Sequence, residues 1–460
     1  MVGLVLNRLF KFCYIVFLFA FFSLRDLYAF GILEAVEKIV NDSPELRIIL
    51  EKREQGVAVY RETVAAYLPH LSVGLTREYY KDSPVLNPKD STWSSVNKFE
   101  LLLEQKIFDM ESLSSIYARG QSVQSIEFKN QKLLESLLQL AVTAYYDVVQ
   151  AEYLIAIARE HLRGIRDIEK LLIKMRNKGD ATLADLNMVQ ARLANANSDF
   201  IGAAANLDKA RVNLAYLLNL LADNKGFTVT KDVLPELTNK DFYDLADKML
   251  VFLPLSVEEL QEQSMKNNAD ILYYRSELCS LGYSLEGQRG RMLPTVVMTG
   301  TLKNDENPDS VSYTRNFKLD LEARYYITNG GNTIAGIKRS QSALRELQYQ
   351  YDQAVRDMRS LAYANFNQLR SLEQQRISIL KEIEAAEEVD KVYTLQFKFA
   401  ARNLTDRLDN LDRINAARMK LVSVDYAVLV SRIDILMQNG RLVEFFGFDN
   451  YLDFTNLKLC

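Results

Sequence analysis

Apolar and small residues recur every seven positions between Glu111 and Leu221. One series reads Leu134, Ala141, Val148, Ile155, Leu162, and a companion reads Leu137, Ala144, Ala151, Ala158, Ile165, Leu172. The pattern breaks at Asn177-Lys178-Gly179-Asp180. It restarts as Leu186, Leu193, Phe200, Leu207, Leu214, Leu221, with Val189, Ala196, Ala203, Ala210 and Leu217 beside it. A strict seven-residue period draws helices into a left-handed supercoil, because 3.6 residues per turn must be underwound to keep one seam facing a partner. The Gly-Asp break reverses the chain, so two antiparallel helices are predicted. The first, from Glu111 to about Asn177, would be roughly 100 Å long at 1.5 Å per residue, deeper than an ordinary globular core. Alanine along the seam points to close packing of many helices, as in the wall of a tube. A solitary coiled-coil rod would show the same period.

Elsewhere the period changes to two. Leu71, Val73, Leu75 and Tyr79 alternate with Ser72, Gly74, Thr76 and Glu78. A polar loop containing Pro84, Pro88 and Trp93 follows. Then Phe99, Leu101, Leu103 and Ile107 alternate with Lys98, Glu100, Glu104 and Lys106. One apolar face at period two predicts a strand–loop–strand hairpin.

The whole arrangement occurs twice. Leu293-Pro294 repeats Leu68-Pro69 at an offset of 225, and Asp406 and Arg413 match Asp185 and Arg192 at an offset of 221. Strand three sets Val296, Met298 and Leu302 against Val297, Thr299 and Thr301. Strand four sets Phe317, Leu319, Leu321, Ala323, Tyr325 and Ile327 against Asn316, Lys318, Asp320, Glu322 and Arg324. The offset shrinks across a shorter second strand loop, as expected of a duplication that varies in its loops. The predicted order is a signal peptide (1–29), then a first repeat (30–221) with strand hairpin 70–107 and long helix pair 111–221. An irregular equatorial connector (222–255) leads to a second repeat (256–440), with hairpin 295–327 and helix pair 333–440, and a tail (441–460) closes the chain. In each repeat an opening helix precedes the strands, and Ser43-Pro44 is a start signal for one of them.

Composition sharpens this picture in three places. The eight prolines leave 89–234 and 309–460 free of proline, which agrees with long helices. Arg8 and Lys11 precede an apolar run, Phe12 to Phe22, and Leu27-Tyr28-Ala29 offers a small residue for cleavage, so residues 1–29 read as a secretory signal. Those residues carry +2, and their removal takes the formal charge from −4 to −6; no nucleic-acid surface is indicated. The remaining Cys279 and Cys460 make no disulfide framework. An exported chain without one fits a bacterial periplasm or outer membrane.

Chemistry of the catalytic kind is absent from the pattern. The two histidines, His70 and His161, are far apart, and no phosphate loop, nucleophile elbow or paired-cysteine motif occurs. The chain is therefore expected to be no enzyme and to hold no cofactor or metal. The strands carry the question of function instead. Strands of about 9–11 residues with one apolar face can cross an outer membrane. Four alone cannot seal against lipid, because open edges expose unpaired backbone groups, and closure needs at least about eight strands. Either the hairpins cover a soluble core, or several copies pool their strands.

With Phe108-Asp109-Met110, Asn329-Gly330-Gly331 and Gln438-Asn439-Gly440-Arg441-Leu442 in this doubled order, nearly the whole mature chain resembles the outer-membrane efflux protein family, the TolC-like channel-tunnels. The resemblance implies a mainly α fold with a small β part. In it, long antiparallel helical hairpins form a trimeric α-barrel, and four strands per chain contribute to a twelve-stranded outer-membrane β-barrel. It also implies the outer membrane with a long periplasmic portion as the location. A homotrimer would act as the exit duct of a tripartite efflux or type I secretion system, with a periplasmic adaptor and an inner-membrane pump or ABC exporter. A periplasmic coiled-coil scaffold or adaptor without channel activity is the competing reading.

By the same resemblance, the helix tips form a gated periplasmic entrance. Its pattern, an arginine followed four and seven residues later by aspartates, is met by Arg402, Asp406 and Asp409. Asp406 and Asp409 would form an acidic ring, and Arg402 would latch to the neighbouring hairpin at Asp185. Phe397 stands where the family type member has a tyrosine bonded to the aspartate matching Asp185, and it has no hydroxyl. Ala184 replaces a hydroxyl residue beside Asp185.

Overall fold

The computed structural model describes residues 31–82, 92–219, 245, 247–307, 312–398 and 403–448. The expected signal segment, most of the expected connector, Arg402 and residues 449–460 lie outside them. The fold is mainly α with a small β part, as expected. In chain order its elements are α1 (Ile32–Asp42), α2 (Pro44–Ala65), β1 (His70–Asp82), β2 (Thr92–Phe108), α3 (Met110–Lys178), α4 (Leu183–Leu217), α5 (Val257–Asn267), α6 (Ala269–Gly290), β3 (Thr295–Asn307), β4 (Ser312–Arg324), α7 (Asn332–Lys398), α8 (Leu404–Gln438) and α9 (Leu442–Phe446). The chain divides into two compact units, and the boundaries after Arg47, Lys132, Ser264 and Asp357 fall inside α2, α3, α5 and α7.

One unit is helical. It holds the described residues up to Arg47, together with Leu133–Ser264 and Met358–Phe448. In α1 the apolar residues Ile32, Ala35, Val36, Ile39 and Val40 recur at helical spacing, and all are buried. Ser43 then caps α2, its Oγ accepting from the Leu46 amide at 3.1 Å. The seven-residue seam of α3 is the core: Leu134, Ala141, Ala144, Val148, Ala151, Ala158 and Ile165 are buried. Alanine at four of these places lets neighbouring backbones approach closely. Two apolar clusters result. One joins Leu162, Ile165, Ile168 and Leu172 of α3 to Val189 and Ala196 of α4 and to Leu404 and Leu408 of α8. The other joins Ala362, Leu369 and Ile379 of α7 to Val424, Val428 and Ile435 of α8. Ion pairs run up the α7–α8 hairpin beside it, Arg413–Glu382 at 3.2 Å, Arg376–Asp425 at 2.6 Å and Arg432–Glu373 at 3.1 Å.

The other unit, Ile48–Lys132 with Met265–Asp357, contains the sheet. Its strands lie in the order β1-β2-β3-β4, every neighbouring pair antiparallel. Register fixes the faces, because directly opposed residues point the same way. The rows Leu71↔Leu103↔Gly300↔Leu319 and Val73↔Leu101↔Leu302↔Phe317 make one face apolar. The row Gly74↔Glu100↔Lys303↔Asn316 belongs to the polar face, where Lys303 Nζ lies 3.0 Å from Glu100. Leu71, Val73, Leu75, Phe317, Leu319 and Leu321 are all exposed in the single chain. Apolar side chains in an ordered sheet are not left in water without a further partner or solvent to cover them.

The strands also outrun the sequence pattern. Trp93, expected in the polar loop, lies in β2 opposite Lys81, whose Nζ sits 5.9 Å from its ring centroid. The period-two signal fades there because Arg77 and Lys81 occupy the apolar face. At the other end of β2 the register shifts between Lys106 and Phe108, so a bulge precedes the helix and Phe108, not Ile107, pairs with Val296. Asp109 then caps α3 through the Ser112 amide at 3.2 Å, which gives Phe108-Asp109-Met110 its physical content. Gly290 ends α6 against this corner. A Cβ there would stand 2.9 Å from Met110 Cβ and 3.1 Å from its carbonyl carbon.

Candidate functional site

The site is built where α3 stops. Gly179 takes φ +86°, a region that glycine enters without a Cβ clash. The Gly179 amide donates to the Arg176 carbonyl at 3.0 Å and the Asp180 amide to the Met175 carbonyl at 3.0 Å, a Schellman ending that satisfies the last carbonyls and turns the chain. Thr182 opens α4 with a capping box. The Asp185 amide donates to Thr182 Oγ1 at 3.2 Å, while the Thr182 amide and hydroxyl donate to Asp185 Oδ2 at 2.9 Å and 2.7 Å. The hydroxyl first and the amide second hold the Asp185 carboxyl below its usual range. Asp185 therefore has a local task, as the N3 residue of its own helix.

Across from α4 stands the start of α8. Asp406 lies in its first turn, where the helix N-terminus favours a carboxylate. Asp409 follows three residues later on an adjoining face, its side chain 57% exposed. The expected ring residues thus share two turns of one helix. Arg402 lies outside the described residues, and so does the side chain of Phe397, whose backbone is in α7.

A second set of residues, not singled out from the sequence as a site, ties three helices together here. Arg192 of α4 reaches α8 with both arms, Nη2 donating to Asp409 Oδ1 at 2.9 Å and Nη1 to Asp412 Oδ2 at 2.5 Å. The other Asp412 oxygen lies 2.9 Å from Nε2 of His161 on α3, a side chain only 8% exposed. A carboxylate can only accept, so that nitrogen carries the proton. Arg192 was visible in the sequence only as the repeat partner of Arg413. The repeat partners have since diverged, for Arg413 pairs with Glu382 inside its own hairpin. Pairings over 217, 220 and 251 residues depend on the azimuth of three packed helices, which spacing along one helix does not report.

Beside His161 a cleft of about 310 Å³ opens between α3, α7 and α8, lined by Glu160, His161, Glu387, Asp390 and Arg418 among others. Arg418 bridges it, donating to Glu160 and to Glu387 at 2.7 Å each. Burial opposes the Arg418 charge, but these two bonds outweigh it and push its pKa up. Among the described residues no cluster of histidine, cysteine and carboxylate side chains could hold a metal ion. What the arrangement offers is a set of charge-assisted ties between the two helical hairpins of one chain, beside carboxylates that face water.

The pattern of the family described as outer membrane efflux protein matches residues 35–220. The alkaline protease secretion protein AprF of Pseudomonas aeruginosa is 23% identical over 449 residues, covering 95% of this chain and 87% of the relative. The outer membrane efflux protein BepC of Brucella suis biovar 1 is 21% identical, covering 85% and 82%. Among solved structures, CusC, described as forming a transmembrane channel, superposes with a TM-score of 0.74 at 17% identity over 90% of this chain and 92% of its own.

Proposed function

We propose that this chain belongs to the outer membrane efflux protein family, whose pattern matches residues 35–220, and that it works as a trimeric outer-membrane channel-tunnel, the exit duct of a tripartite efflux or type I secretion system. One observation carries this reading: a four-stranded sheet with an exposed apolar face and with only one neighbour for each of β1 and β4. Such a sheet cannot rest in lipid as it is, since each unpaired edge group costs several kcal/mol there. An even number of antiparallel strands leaves β4 running opposite to β1. A copy of β1 from a neighbour can therefore continue the same up-and-down order. Four strands from each of three copies close a barrel whose apolar face meets lipid and whose polar face lines water. The family is one of transport ducts and not of enzymes. Its relatives carry names from both protease secretion and efflux, so both cargo classes belong to the proposal. A periplasmic adaptor and an inner-membrane pump or ABC exporter are the partners.

At the helix tips, Asp406 and Asp409 from three copies form a ring of six carboxylates in the aqueous mouth. A narrow mouth of one sign concentrates cations and gives multivalent ones a place to block. Arg402 latches to Asp185 of the adjoining hairpin, and Phe397 leaves that latch without a tyrosine hydroxyl. The Asp185 capping box supports the placement by fixing that carboxylate in its ionised form. Arg402→Ser is expected to raise single-channel conductance, and unchanged conductance would remove the latch from the account. For the function itself, the chain is purified from the outer-membrane fraction and reconstituted in a planar bilayer. A heat-modifiable trimer that conducts ions is expected. A soluble monomer that leaves the bilayer silent would favour a periplasmic scaffold or adaptor instead.

A further inference from the structure

The charged residues on the apolar face of the sheet are few and lie together. Register assigns to this face Leu71, Val73, Leu75, Arg77, Tyr79 and Lys81 of β1, Trp93, Ser95, Asn97, Phe99, Leu101 and Leu103 of β2, and the residues opposite them on β3 and β4. Its charges are Arg77, Lys81, Glu306 and Arg315, three basic and one acidic. All four sit at the end near the strand loops, and none at the end that joins the helices. On β4 the apolar run of this face goes from Phe317 to Ala323, one residue short of the strand's end at Arg324. The whole strand, 13 residues long, suffices to cross the lipid-facing band of an outer-membrane barrel, roughly 25 Å, and Arg315 lies toward its loop end.

Aromatic rings accompany the cations. The Arg77 guanidinium carbon stands 5.2 Å from the Tyr79 ring centroid, and the Lys81 amine 5.9 Å from that of Trp93. Tyr79 and Trp93 are exposed, in the position of an interfacial girdle. Arg77 and Lys81 therefore flank one tyrosine on β1, with tryptophan at their side and both cationic groups in the headgroup zone. Glu306 lies two strands away, diagonal to Arg315, and leaves the Arg77–Lys81 pair unopposed on its own strand pair.

We propose that Arg77, Lys81, Tyr79 and Trp93 form a docking site for the phosphate of an anionic glycolipid in the leaflet that surrounds the loop end of the barrel. The inference rests on the outer-membrane reading above. That reading puts the helices in the periplasm, so the loop end faces the outer leaflet, where lipids are phosphorylated glycolipids. The guanidinium supplies directed donors to phosphate oxygens, the amine supplies a second charge, and the two rings cover the sugar and the first acyl carbons.

The test uses the full-length trimer in nanodiscs that contain either a phosphorylated glycolipid or its dephosphorylated form. The readout is lipid retained per trimer after exchange into neutral detergent, measured by native mass spectrometry. The wild-type trimer should retain the phosphorylated lipid and not the dephosphorylated one, and millimolar inorganic phosphate should not displace it. Arg77→Gln with Lys81→Gln should lower retention about 25-fold, taking roughly fivefold for each basic group near a charged lipid surface. Equal retention of the two lipids by the wild type overturns the proposal without any variant being needed. Unchanged retention in the double variant, or displacement by inorganic phosphate, overturns it as well. Conductance of the same trimer separates the two readings: a conducting trimer with no lipid preference sinks this site alone, while a silent one sinks the channel.

Discussion

The tie made by Arg192 gives the sharpest test of how the helix tips are held. Arg192→Gln removes a 2.9 Å contact to Asp409 and a 2.5 Å contact to Asp412. The side chains are 41%, 57% and 30% exposed respectively, so water screens both pairs and neither reaches the strength of a buried one. The Asp409 pair, the more open, contributes about 0.3 kcal/mol, and the Asp412 pair about 1 kcal/mol. Together they come to roughly 1.3 kcal/mol, close to a factor of ten in an equilibrium between hairpins that are tied and hairpins that are apart. Single-channel recording of the reconstituted variant should show the open fraction rising about five- to tenfold. Thermal unfolding of Arg192→Gln, Asp412→Asn and the double variant should give a coupling near 1 kcal/mol. Arg192→Lys should recover only part of the effect, since a single ammonium cannot serve two carboxylates as a planar fork does. An unchanged open fraction together with a coupling within about 0.3 kcal/mol of zero would refute the reasoning.

Three further outcomes follow from the same structure. Asp406→Asn with Asp409→Asn should abolish cation preference and divalent block. A double variant still blocked by divalents would rule out the ring. Burial raises the pKa of Asp434, against the opposing hydrogen bond from Gln139 at 2.7 Å. A raised carboxyl favours the fold while it is protonated, and that contribution is lost as pH rises through the folded pKa. Asp434→Asn should accordingly raise Tm at pH 7 to 8, with the gain shrinking as pH falls toward the ordinary carboxylate range; a gain independent of pH would point to another cause. Gly290→Ala places a methyl 2.9 Å from Met110 Cβ and should cost about 1–3 kcal/mol, read as a lower trimer melting temperature, whereas Gly282→Ala, with nothing within 4 Å, should cost nothing measurable.

The parts of the fold that were legible from the sequence are those in which one side chain type serves one purpose along a whole element. The alanine and leucine seam of α3 marks the buried stripe because each of its members meets the same demand for close packing. The strands were legible as far as their side chains were sorted by lipid and water. They became illegible at Arg77 and Lys81, where the same face leaves the apolar band and the rule of sorting changes. The family pattern marks Asp185 and Asp409 and not Asp412, although Arg192 holds Asp409 and Asp412 alike. A carboxylate on a helix looks the same in sequence whether it caps, pairs across a groove or faces open water. Only the rotation of α3, α4 and α8 about their axes decides among these.

The unpaired margins of β1 and β4 also constrain how the protein reaches its destination. On the channel reading, a lone protomer is kept out of the bilayer by its own backbone, and a closed ring needs three protomers. Assembly and insertion must then be a single event. Its rate then falls steeply as protomers are diluted.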